Sequence, residues 1–68
     1  MTSRVVYVVV KQITAETSIG KSVIIPIGER LEYDGTSDAQ AIFWRPNNHS
    51  FVYRPASEAK KDLRPLSE

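Results

Sequence analysis

Hydrophobic and polar residues alternate along this chain in short runs, and nearly every run reads as a strand. The first, Arg4 to Ile13, holds Val5, Val6, Tyr7, Val8, Val9 and Val10 in one unbroken block. β-Branched side chains suit a pleated surface better than a helix turn. Both alternate faces of the block are apolar, which predicts a central strand buried on two sides. Lys11 and Gln12 mark where it emerges. Thr14 to Lys21 is polar, carries Gly20 near its end, and reads as a loop. Ser22 to Ile27 is a second strand. Pro26 has no N–H for a ladder, so this strand is expected at an edge or bulged, and Gly28 supports a bend. Glu29 to Tyr33 resumes the alternation, with Arg30 and Glu32 on one side and Leu31 and Tyr33 on the other. Asp34-Gly35 predicts a turn, and Thr36 to Gln40 a polar connection.

The stretch AIFWRPNNHSFVYRP predicts a β-hairpin turning at Pro46, Asn47 and Asn48. With Arg45 opposite Ser50, Trp44 faces Phe51 and Ile42 lies near Tyr53 on one side. Phe43, Arg45, Val52 and Arg54 take the other. The first set is wholly apolar or aromatic and is expected to face the core. The second carries two arginines and is expected to face outward. Pro55 stops the strand. Ser57 is the expected N-cap of a short helical turn. Asp62 to Leu66 returns as a last short strand with Leu63 and Leu66 docked, and Ser67 and Glu68 are expected to fray. Arg-Pro recurs at 45–46, 54–55 and 64–65, but the sequences between do not match, so it is punctuation and not a repeat.

These elements predict an all-β domain over residues 1–68: a small, five-stranded, partly open barrel with one short helical turn near the C-terminus. An SH3-like order fits best: a long first loop, a tight hairpin near the middle, then a single turn before a short final strand. An OB-like barrel is the alternative. The closing stretch ASEAKKDLRPL resembles the end of many SH3-like barrels. The likeness covers only this stretch, and the aromatic groove of signalling SH3 domains has no recognisable counterpart here.

Composition narrows the function classes. A chain of 68 residues buries only about 60% of its unfolded surface, so its stability is marginal. Without cysteine it has no disulfide or thiolate metal site, and its single histidine, His49, has no second imidazole to share a metal. Packing, strand pairing or a partner must supply the support, which keeps self-association open. The net charge of +1 is not the footprint of bulk phosphate binding. No run approaches the roughly 18 apolar residues of a membrane span. The N-terminal apolar run is too short for a signal-peptide core. The cytoplasm is taken as the default compartment and is not deduced from any residue.

One stretch, AETSIGKS, matches a relaxed P-loop, ending in Gly20-Lys21-Ser22. A P-loop needs a helix to open after the glycine turn, so that backbone N–H groups cradle phosphate. Here Val23, Ile24, Ile25 and Pro26 follow, a poor first helix turn and a good strand. The stretch therefore predicts a loop in which Gly20 supplies a positive φ, and no nucleotide or other cofactor. His49 reads as a solvated turn residue without a catalytic partner. Glu29, Glu32 and Asp34 read as solvated carboxylates, with no burial to shift them. Lys60 and Lys61 read as an ordinary solvated pair.

The remaining chemistry is the hairpin face of Phe43, Arg45, Val52 and Arg54. Arginine beside exposed aromatics suits protein interfaces. It also suits base stacking and phosphate contact. Alternatively Phe43 and Val52 form a second packed face covered by arginine stems. The expected function is a non-enzymatic binding or assembly module acting through another protein or a second copy of itself. The edge at Pro26 and this hairpin face are its expected surfaces. The alternative is a nucleic-acid-binding barrel using Phe43, Arg45 and Arg54, with Lys11 or Lys21.

Overall fold

The valine block does not stay in one strand. In the computed structural model, which describes residues 5–66, β1 runs Val6–Val9 and the chain then bends, so that β2 (Ile13–Glu16) forms separately. Tyr7 and Val9 point inward and are buried, while Val5 and Val10 are exposed. β2 pairs antiparallel with β3 (Ser22–Ile25), so that Thr14 to Glu16, expected as part of a loop, forms a strand against the expected second one. The reason lies in its alternation: Ile13 and Ala15 are buried, Thr14 and Glu16 exposed. β3 is the outermost strand on that side, one of the two placements that Pro26 allows, and it ends at Ile25 and not at the expected Ile27. Residue 4 of the expected first strand and the C-terminal Ser67 and Glu68 lie outside the described residues.

β4 (Arg30–Ser37), β5 (Gln40–Arg45) and β6 (Ser50–Pro55) form an antiparallel meander. A 3-10 turn at Ala56–Glu58 then leads to β7 (Leu63–Pro65), which pairs with β1. Among the described residues seven strands form one sheet, where the sequence suggested five, in the order β3-β2-β6-β5-β4-β1-β7. The sheet curls into an open half-barrel. Its core fills the inner face: Tyr7, Val9, Ile13, Ile25, Leu31, Phe43 and Val52 are all buried. The ring of Phe43 lies edge-on to Tyr7 at 6.2 Å and tilted against Tyr33 at 5.5 Å, within the range where aromatic pairs attract.

Two turns depart from expectation. Asp34-Gly35 does not turn the chain. It lies inside β4 as a bulge, with register shifting between Tyr33↔Phe43 and Gly35↔Ile42, and Gly35 holds φ of 136°. The reversal falls instead at Asp38 and Ala39, between paired Ser37 and Gln40, with φ of 51° and 65°. Two positive φ values in a two-residue loop are the geometry whose twist matches a β-hairpin. Ser57 is not the cap expected of it. The 3-10 turn starts from Pro55 and has no side-chain cap.

Ala39 bears the strain of that turn, since a left-handed conformation costs an L-residue about 1–2 kcal/mol and glycine little. Ala39→Gly is expected to stabilise the domain by about 0.5–1 kcal/mol, raising Tm by a few degrees in a thermal melt.

Candidate functional site

The β5–β6 hairpin has the expected register. Arg45 pairs with Ser50, Trp44 with Phe51 and Ile42 with Tyr53. Its faces are exchanged. Phe43 and Val52 are completely enclosed, and Arg45 and Arg54 are 8% and 6% exposed. The face expected to look outward is thus the core face, and the reading in which Phe43 and Val52 form a packed layer is the one that matches. Phe43, Arg45, Val52 and Arg54 are brought together, but not at the surface.

Both inward arginines are satisfied. Arg45 makes a two-pronged pair with Glu29: Nε donates to Oε2 at 2.6 Å and Nη2 to Oε1 at 2.9 Å. Such fork-to-carboxylate geometry is the strong form of a charged hydrogen bond. The bond to Glu29 raises the Arg45 pKa beyond its ordinary value, outweighing the effect of burial. Glu29 is itself buried, which corrects its reading as a solvated surface acid. It is held by the turn before it. Gly28, at φ of 94°, donates its N–H to the Val9 carbonyl, and the Glu29 carbonyl accepts from Val9 N–H. Arg54 finds carbonyls instead. Its Nη1 donates to the oxygens of Ala59 at 2.9 Å and Lys61 at 3.0 Å, tying β6 to the turn before β7. Burial lowers the Arg54 pKa, and the nearby Glu58 and Asp62 partly offset it. An arginine stays protonated throughout the range in which proteins are handled, so both charges are permanent.

The surface lies on the other side. Trp44 stacks edge-on against Phe51 at 4.8 Å and meets the His49 ring at 6.1 Å. Phe51 is 38% exposed and Trp44 half-buried. Register places Val6, Glu32, Trp44 and Phe51 in one row across β1, β4, β5 and β6. Leu66, exposed, extends it by donating its N–H to the Val6 carbonyl. In the next row Val8 lies between Arg30 and Arg64, both exposed. A groove of about 440 Å³ opens over this face, lined by Val6, Arg30, Glu32, Pro46 and Leu66 among others. Compared with protein-family models, with curated proteins and with solved structures, the chain matches none.

AETSIGKS forms the tip of the β2–β3 hairpin. Thr17 N–H donates to the Lys21 carbonyl, Gly20 holds φ of 83°, and Ser22 enters a strand where a P-loop would begin a helix. Lys11 and Lys21 are exposed on the β1–β2 connection and on this hairpin. His49 sits in the turn with φ of 52°, taking the positive φ expected of an asparagine, and its ring meets Trp44. Among the described residues no cluster of His, Asp and Glu could hold a metal ion, and no helix is long and apolar enough to cross a membrane. The outward Trp44–Phe51 pair was visible in the sequence but assigned inward. The inward placement of Arg45 depends on Glu29, and that of Arg54 on the Ala59 and Lys61 carbonyls, partners that the hairpin sequence itself does not contain.

Breaking one partner of a buried ion pair leaves an uncompensated charge, at a cost of roughly 3–5 kcal/mol. Glu29→Leu and Arg45→Met singly are each expected to lose that much in urea denaturation. The double variant is expected to be more stable than either single one.

Proposed function

We propose that this chain is a non-enzymatic binding module that works by protein contact, with the outward face of β1, β4, β5 and β6 as its docking surface. The observation that carries this reading is the outward-facing Trp44–Phe51 pair, with Phe51 exposed and Trp44 half-buried. Phe43 already fills the core, so packing does not require these two rings, and tryptophan in half-sheltered patches is where interface energy concentrates. Val6 and Leu66 lie in the same row beyond Glu32, and Arg30 and Arg64 flank Val8 in the next row, so both signs of charge accompany the apolar groups. Aromatic residues and arginine together are enriched at protein interfaces.

The SH3-like reading of the fold belongs to the same proposal. The β2–β3 hairpin takes the place of the long first loop, β5–β6 is the expected hairpin, and one 3-10 turn precedes the short last strand. The open edges at β3 and β7 fit this better than an OB-like Greek-key barrel.

A nucleic-acid reading draws on one observation. Arg30 and Arg64 accompany Trp44 and Phe51 on the outer face, a pairing of cations with rings that suits base stacking. Its original carriers, Phe43, Arg45 and Arg54, are buried, and the net charge of +1 gives little bulk attraction.

Affinity capture from the native host, compared between the wild type and Trp44→Ala or Phe51→Ser, tests the protein-contact reading. A specific set of proteins is expected on the wild type and lost from both variants. An identical set on all three would contradict it. Trp44 is the chain's single tryptophan, so its emission separates the two readings. Oligonucleotide up to about 100 μM at low salt is expected to leave it unchanged, whereas salt-sensitive quenching would favour nucleic acid.

A further inference from the structure

We propose that the free edge of β3 pairs with the same edge of a second copy of this chain, across a two-fold axis at Val23. The two edges of the sheet differ. β7 has three residues, includes Pro65 and carries Arg64, all features that discourage further pairing. β3 has four residues, SVII, with no charge and no proline inside it. The whole stretch from Ser22 to Gly28 is uncharged.

The backbone of that edge is set by the hairpin. Thr17 N–H donates to the Lys21 carbonyl, and the ladder continues Glu16↔Ser22, Ala15↔Val23, Thr14↔Ile24, Ile13↔Ile25. Antiparallel ladders alternate in the direction of their polar groups. Val23 and Ile25 therefore bond to β2, and the N–H and C=O of Ser22 and Ile24 point to the open side. An axis at Val23 sets Ser22 of each copy against Ile24 of the other. Each such pair exchanges two bonds, so all four free groups of each edge are used. Pro26 falls just past the last bond, where no N–H is needed.

The same register gathers the exposed isoleucines. Ile19, Ile24 and Ile27 are 76%, 62% and 67% exposed, far more than large apolar side chains elsewhere on the surface. Around Val23, the two Ile24 side chains become diagonal neighbours on the outer face, within reach of one another. Ile19, in the hairpin turn, and Ile27, in the turn after β3, lie just beyond the two ends of the ladder. The nearest charges, the two Lys21 residues, fall at opposite ends of the ladder. An isologous interface must be complementary to itself, and this edge is so in hydrogen bonds, apolar groups and the absence of opposed charges. A charged partner strand would form the same backbone bonds but would set its charges against exposed isoleucines. The short ladder makes the dimer weak and concentration-dependent.

The test is the solution mass of the full chain by sedimentation, from about 10 μM to about 1 mM, with amide exchange at both ends of that range. The mass of the wild type is expected to rise from 7.7 kDa toward twice that value. Protection of Ser22 and Ile24 amides is expected to rise about tenfold or more, with Val23 and Ile25 already protected. Ile24→Lys, at a largely exposed position, is expected to keep the fold and to remain at the monomer mass. Trp44→Ala is expected to dimerise as the wild type does. A wild type fixed at 7.7 kDa would overturn the proposal, as would a dimer that survives Ile24→Lys or is lost in Trp44→Ala. So would protection of Ser22 and Ile24 that appears only on adding a different chain.

Discussion

Phe43 can be buried only because the charge two residues along from it has a partner. Side chains at i and i+2 of a strand share a face, so turning Phe43 into the core turns Arg45 inward as well. Glu29 meets that guanidinium with both carboxylate oxygens. Across the ladder the same rule binds Val52 to Arg54, and the carbonyls of Ala59 and Lys61 meet it. The rest of the fold is arranged around these two arginines. The Pro26–Glu29 turn presents Glu29, and the segment after β6 curls to present its carbonyls before β7 closes on β1. A buried ion pair is weak evidence for stability, because desolvation offsets its attraction. Its effect here is on which face of the hairpin is inside.

That choice has a functional consequence. A strand has only two faces, so fixing Phe43 inward fixes Trp44 and Phe51 outward. The aromatic strip at the surface follows from the arginine contacts beneath it. It also changes which cations are available to a partner. Arg45 and Arg54 are committed to the interior, and the outer face has Arg30 and Arg64 instead.

Much of this was legible in the sequence. The hairpin register followed from Pro46 and the asparagines, and the edge position of the second strand from Pro26. The final short strand followed from Leu63 after a polar turn. The faces were not legible, because hydrophobicity favours Ile42, Trp44, Phe51 and Tyr53 over a set holding two arginines. Only a long-range partner, sixteen residues upstream at Glu29, reverses that preference. The turns failed for a related reason. Asp34-Gly35 has turn chemistry, but Gly35 is used for a bulge, while Ala39, an unremarkable turn residue, is forced into a left-handed conformation by the strands on either side. Similarly, the alternation of Ile13 and Ala15 was too short to stand out against the polar residues around it.

The most direct test of the account is which of two neighbouring positions on β6 is accessible. The chain has no cysteine, so a single introduced thiol reports its own environment. Phe51→Cys and Val52→Cys differ by one residue and by face. Labelling with a soluble thiol reagent under native conditions should modify Phe51→Cys at nearly the rate of an unfolded thiol. Val52→Cys should be protected about 100-fold or more, reacting only through unfolding. Rapid labelling of Val52→Cys with protection of Phe51→Cys would place Trp44 and Phe51 in the core and contradict the arrangement on which the account rests.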